Sequence, residues 1–278
     1  MQVVFVDIEK YSRRRTVNQI SVVDALTDSL KHALTETSKH FLTYAQENTL
    51  NFDTDVIRLP TGDGAAMVFT FEGLHDVHLE FSKHFLKSVH DKNISNPCAK
   101  FDDDGWCNCH ANFNVTTGIA DGKGILYQDL NGNYNVAGNV INLAARAMGK
   151  CDSNQILFSE DAFSQMVELD ADAQLVESFF KYEVEIKHGE TINVFQYRNE
   201  ALEYLNSLPP TKLEISRKSE ELMSVMASAG FPVPNKSAIG KLDDKTLLEN
   251  MDGMAELMQK LVGSPLGITQ NPQKKAGE

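Results

Sequence analysis

Three short segments carry residue types and spacings that could do chemistry. Phe5-Val6-Asp7-Ile8 is an apolar run ending in a carboxylate, followed closely by Tyr11 and Ser12. Thr61-Gly62-Asp63-Gly64 places a second carboxylate in a glycine-flanked turn. Residues 134–146 (YNVAGNVINLAAR) place Asn142 and Arg146 four apart, hence on one face of a helix. Each segment alone has a plain structural reading. An Asp after a strand commonly caps a helix, Asp63 between two glycines fits a turn by itself, and an exposed Asn–Arg pair is an ordinary solvated face. Together they suggest two-metal phosphoryl transfer. Two aspartates at neighbouring strand ends can hold a pair of divalent cations about 4 Å apart, and Mg²⁺ or Mn²⁺ prefers such carboxylate oxygens.

The elements that must position these residues can be read from periodicity. The run 2–7 predicts a central buried strand rather than a cleaved leader, since an acidic pair follows it and no basic stretch precedes it. Val23, Leu26, Leu30, Leu34, Phe41 and Ala45 recur at helical spacing and predict a helix over 20–47. Strands are expected at 54–59 and 65–71, joined by the turn Pro60–Gly64, with a second helix over 73–90. The polar stretch 91–112 reads as an inserted loop. Strands at 113–120 and 124–128, a helix after Gly138, a strand at 155–158, a helix at 159–168 and a β pair at 181–187 and 191–198 complete the first unit. Leu208-Pro209-Pro210 marks a boundary. The expected organisation is a catalytic domain over 1–208, a helical extension over 209–262 built on helices at 211–229 and 243–261, and a disordered tail over 263–278.

Composition narrows the functions available. Against 26 basic residues stand 39 acidic ones, a net charge of −13, which argues against broad binding of nucleic acid or of an anionic membrane. No stretch reaches the roughly 18 consecutive apolar residues of a membrane helix. Four cysteines in 278 residues give no disulfide framework, so a reducing cytoplasm is expected. Residues 211–278 hold nine basic and nine acidic residues, so the whole negative excess lies before them. Five of the nine methionines also fall there (Met223, Met226, Met251, Met254, Met258), as core of a helical hairpin or as a surface for a partner. Cys98, Cys107, Cys109 and His110 make poor zinc geometry and read as free thiols in a loop. Arg13-Arg14-Arg15 could assist phosphates or form a solvated turn. The eight histidines show no His-x₃-His and no Ser/His/Asp arrangement.

Taken in order, the three segments resemble the catalytic domain of class III nucleotidyl cyclases, over roughly residues 1–200. The resemblance implies an α+β, ferredoxin-like domain with a C-terminal helical appendage, paired head to tail in a homodimer with active sites at the interface. It implies that Asp7, Asp63 and the backbone carbonyl of Ile8 bind two divalent cations, Mn²⁺ or Mg²⁺. Asn142 would orient the ribose and Arg146 would stabilise charge at the α-phosphate, both from the other protomer. Ser12 falls in the first motif, beside the substrate. Lys187, in Glu185-Ile186-Lys187-His188-Gly189, resembles the lysine that holds the terminal phosphates, although the family usually shows Lys-Gly and here His188 intervenes.

Two positions depart from the purine-specific pattern. Where those enzymes place a base-reading lysine, four residues before the second metal aspartate, this chain has Leu59; where they place an aspartate or small polar residue, it has Asn135. Arg58 is out of register and on a strand faces the other side. An asparagine amide could complement a uracil edge, and a leucine would fill space that a larger base needs. These substitutions and the Leu-Pro-Thr-Gly-Asp-Gly phrasing resemble the pyrimidine cyclases of bacterial antiphage Pycsar systems. That implies UTP as substrate with CTP next, cyclic UMP as product, and a separate cyclic-nucleotide-responsive effector. The alternatives are an adenylate or guanylate cyclase with another base pocket, and an inactive cyclase-like nucleotide-binding module.

Overall fold

Side chains of the first strand, β1 (Gln2–Ile8), alternate between two apolar environments. Val4, Val6 and Ile8 enter one cluster, while Val3 and Phe5 enter another. The strand is therefore covered on both faces, which its nearly continuous apolar run requires. A computed structural model describes residues 1–98, 109, 112–170, 173–185, 191–213, 224 and 253.

After β1 come α1 (Thr16–His40), α2 (Leu42–Glu47), α3 (Phe52–Asp55), β2 (Val56–Pro60), β3 (Gly64–Phe69), α4 (Val77–Ser95) and β4 (Val115–Asp121). The helix expected over 20–47 begins earlier and is broken at Phe41. There α1 closes with Lys39 in its last turn, where positive charge suits the helix C-terminus, and Phe41 turns against the core. Next are β5 (Ile125–Gln128), β6 (Tyr134–Ala137), α5 (Asn139–Met148), β7 (Ile156–Ser159), α6 (Glu160–Asp170), α7 (Ala173–Glu177), β8 (Phe179–Glu185) and β9 (Thr191–Tyr197). Neither β6 nor α7 was expected from periodicity. The four residues of β6 read as a lead into the next helix, and the Asp129 side chain, accepting from the backbone N–H groups of Asn131 and Asn133, makes the turn that brings them back onto β5.

Seven strands form one sheet in the order β2-β3-β1-β4-β7-β9-β8, and β5 and β6 form a separate ribbon. Within the large sheet only β4 and β7 run parallel; the other neighbours are antiparallel. The first four strands with α1 and α4 make the βαββαβ order of a ferredoxin-like core, so the α+β expectation holds. Helices α1, α4 and α6 cover one face through Leu26, Leu30, Leu34, Phe81, Phe85 and Met166. Helix α5 covers the other through Val140 and Ala144.

The chain divides into two compact units, Met1–Pro210 and Thr211–Glu278. The helices expected at 211–229 and 243–261 and the tail 263–278 lie outside the described residues, apart from 211–213, 224 and 253. No helix among the described residues is long and apolar enough to cross a membrane.

Helix α5 approaches the sheet very closely at Gly118 of β4. A Cβ added there would lie 2.2 Å from the carbonyl oxygen of Ala144 and 2.2 Å from the backbone nitrogen of Met148. Those are main-chain atoms of a packed helix, so the whole helix must move to admit a methyl group. Gly118→Ala is expected to lower unfolding stability by about 2 kcal/mol or more, as overpacking does. Urea melts of the two proteins measure this, and an unchanged midpoint would mean that α5 shifts freely.

Candidate functional site

In the pairing of β1 with β3, Asp7 stands opposite Gly64. A Cβ at Gly64 would sit 2.1 Å from the Val6 carbonyl oxygen, so only glycine lets the strands close at this point. The preceding residues Thr61–Asp63 form the loop between β2 and β3. It is closed by the Thr61 N–H donating to the Gly64 carbonyl at 3.0 Å, and Gly62 takes a φ of 98° that favours glycine. The Ile8 N–H donates to the Asp63 carbonyl at 3.0 Å, which fastens the loop to the end of β1. The Asp7 and Asp63 side chains are thereby brought within hydrogen-bonding reach of one another.

Both carboxyls are half-buried. Burial first, then the charge of Asp63 and the hydrogen bond to it, push the Asp7 carboxyl up from 3.8 to about 6. Two hard oxygen donors held together, with Asp7 made harder to ionise by its neighbour, suit a divalent cation that would offset the charge. The donor set therefore fits Mg²⁺ or Mn²⁺. Ile8, the third expected ligand, is buried at the same strand end.

Asp7 lies on the face of β1 that α5 covers, because Val3 and Phe5 do. Helix α5 turns Val140, Ala144 and Ala147 inward, whereas Asn142 and Arg146 are exposed. Each lies two residues from an inward-facing one, about 200° around the helix. Asn142 and Arg146 therefore share a face, as expected, but it points away from the sheet that carries their own Asp7. One chain brings the two aspartates together and does not bring the Asn–Arg pair to them.

The remaining expected residues fall as follows. Ser12 is exposed in a short 3₁₀ turn, Tyr11–Arg13, between β1 and α1, while Tyr11 packs on the core. Leu59 is half-buried on the α5 face with Ile57 and Val136 of β6, and Arg58 lies on the opposite side, paired with Asp53 at 3.2 Å. The Asn135 side-chain oxygen accepts from the Val136 N–H at 2.7 Å, so its amide is not equally available as donor and acceptor; the NH₂ group remains. Lys187 lies outside the described residues, as do Cys107 and His110. Arg14 is no phosphate ligand. It is buried and donates to the carbonyls of Cys109 and Asn112, strapping that chain segment to the start of α1. Gly64 and Gly118 were not singled out for the close approaches they permit, which depend on strand register and helix height rather than on local pattern.

The raised Asp7 carboxyl has a consequence for stability. The folded chain holds this proton more tightly than the unfolded chain, where the ordinary 3.8 applies. The contribution to stability is complete below 3.8 and is lost as pH rises through about 6. In a chelator, Asp7→Asn should therefore melt higher than the parent at about pH 7.5, with the gap closing toward about pH 4. Calorimetry at both pH values checks this; equal melting temperatures at the higher pH would remove the charge conflict.

No protein-family model matches the sequence, and no curated protein matches it. Among solved structures the chain is similar to the guanylate cyclase domain of RhGC from Catenaria anguillulae in complex with GTP, at 15% identity and TM-score 0.45, covering 71% of this chain and 94% of that one. It is similar to adenylate cyclases from Trypanosoma brucei in their monomeric state, at 14% identity and TM-score 0.46, covering 74% and 91%. It is also similar to the guanylyl cyclase Cya2, at 15% identity and TM-score 0.49, covering 74% and 96%.

Proposed function

We propose that this chain is a divalent-cation-dependent nucleotidyl cyclase that works as a head-to-tail homodimer and prefers UTP, then CTP. The observation that carries the reading is the paired Asp7 and Asp63 on the α5 face, with Asn142 and Arg146 of the same chain directed outward. A site that needs both sets is completed by a second copy. The exposed apolar ribbon supports this: Ile125, Leu126, Tyr127 and Tyr134 of β5 and β6, with Leu130 at the turn, are all solvent-facing.

Asp7, Asp63 and the Ile8 carbonyl would hold two cations, which supply activation of the ribose 3′-hydroxyl and neutralise the triphosphate. Arg146 of the second copy presents planar donors to the α-phosphate oxygens as charge grows, an effect worth about 3 kcal/mol. Asn142 holds the ribose for in-line attack, and because the reaction is intramolecular, that alignment supplies much of the rate. Ser12 meets the substrate from the turn after β1, and Lys187 takes the terminal phosphates. Leu59 restricts the base pocket. The free NH₂ of Asn135 donates to a carbonyl, which suits O4 of uracil and not the amino group of cytosine. Cyclic UMP would then act as a signal to a separate effector, in keeping with the resemblance to antiphage pyrimidine cyclases.

Purified protein with Mn²⁺ and each of the four ribonucleotides, its products identified by mass, tests the reading. Cyclic UMP with pyrophosphate is expected. A tenfold preference for ATP or GTP would replace the base assignment, and no product from any nucleotide would leave a binding module. Asn135→Ala should lower kcat/KM for UTP about fivefold more than for a purine, the worth of one hydrogen bond. Asp63→Ala and Arg146→Ala should each be inactive alone, and mixing them should restore part of the activity; no recovery despite subunit exchange would place the whole site in one chain. Ile125→Glu with Tyr134→Glu should shift the dimer toward monomer in sedimentation and reduce turnover together with it.

A further inference from the structure

The helices on the opposite face of the sheet carry a second cluster of ligand-type side chains that cyclisation does not use. α1 ends in Glu36-Thr37-Ser38-Lys39-His40, and α4 carries Glu80-Phe81-Ser82-Lys83-His84 in its first turns. The two stretches share the pattern Glu-x-Ser-Lys-His. Because β1 and β3 are antiparallel, the helices that follow them run oppositely, and the end of α1 meets the start of α4. One ligand atom from each of His40, Glu80 and His84 lies within 4.8 Å of the others. The His40 and His84 rings meet edge to face, with centroids 6.5 Å apart. His84 Nε2 is buried with no hydrogen-bond partner, an unfavourable state for a polar atom at a cluster this polar. Glu36 is close enough for it and His84 to feel one another's charge.

We propose that His40, Glu80 and His84 form a binding site for a borderline transition-metal ion of the zinc class, which ties the end of α1 to the start of α4. Two imidazoles and a carboxylate suit Zn²⁺, Co²⁺ or Ni²⁺ and are a poor donor set for Mg²⁺. The spacing within α4 supports it, since Glu80 and His84 stand four apart and project from one helix face. Without a cation, Lys83 neutralises Glu80 at 2.5 Å and Lys39 neutralises Glu36 at 2.7 Å. Lys83 reaches a single oxygen of Glu80, which leaves the second carboxylate oxygen for a metal. The site lies on the face of the sheet away from Asp7, so it is a separate locus with a different donor chemistry.

Metal-stripped full-length protein titrated with Zn²⁺ in a calorimeter, and with Co²⁺ in a spectrophotometer, tests this. One Zn²⁺ per chain is expected at this locus, with intense visible Co²⁺ bands of low coordination number, and both should persist when Asp7 and Asp63 are replaced by Asn. His40→Ala, chosen because His40 is exposed and its loss leaves the core intact, should weaken Zn²⁺ by about tenfold or more, since losing even an outer partner of a metal ligand costs about 10- to 100-fold. His84→Ala and Glu80→Gln should do the same, and a fixed Zn²⁺ concentration should raise the melting temperature of the parent more than that of His40→Ala. Unchanged Zn²⁺ affinity in His40→Ala and His84→Ala would overturn the proposal. So would binding that disappears only with the aspartate replacements.

Discussion

The pairing of Asp7 with Gly64 across β1 and β3 is the constraint on which the site depends. It sets two carboxylates side by side at a point where burial and the charge of Asp63 both oppose ionisation of Asp7. Such a conflict survives only where the surrounding structure fixes it. Here β1 is apolar on both faces, with Val3, Val4 and Val6 fully buried, so its end cannot swing away to separate the charges. Gly64 lets the strands close over the Val6 carbonyl, and the Ile8–Asp63 backbone hydrogen bond fixes the loop. The charge conflict is thus maintained by the core and the backbone around the site.

Helix α5 shows the same economy on the neighbouring strand. Its inward face is made of small residues, Ala144 and Ala147, and it descends onto Gly118 until backbone meets backbone. A helix seated that low has no room for Asn142 or Arg146 beneath it. The same packing that seals the sheet therefore directs those two side chains outward. On the proposed reading, a division of the site between two copies would follow from the height of one helix.

The order of strands and helices in the first unit was largely legible, because apolar alternation and helical spacing are local properties of the sequence. So were the two aspartates, whose strand-end and turn positions are marked by neighbouring residues. What escaped was either very short or non-local. The strand β6 has only four residues and is created by a side-chain turn at Asp129. The break at Phe41 comes from that residue turning into the core. Arg14 looked like one of three equivalent arginines, and only the fold shows that it is buried against the Cys109 and Asn112 carbonyls. No spacing rule within one helix could find the His40–Glu80–His84 cluster, since its members lie on two helices that the ferredoxin-like order brings together.

That order also links the two ligand clusters through a single strand. Residues of β1 at odd positions meet α5, and those at even positions meet α1 and α4. A cation clamping the end of α1 to α4 would restrict the two helices against which Val4, Val6 and Ile8 pack. Ile8 in turn holds the loop of Asp63 through its backbone. Close-packed interiors transmit small displacements because side chains have few alternative arrangements. The path from the imidazoles to the carboxylates is therefore short: two helices, three aliphatic side chains and one hydrogen bond. The hard oxygen pair and the imidazole set would select different ions, so each locus could be filled without emptying the other.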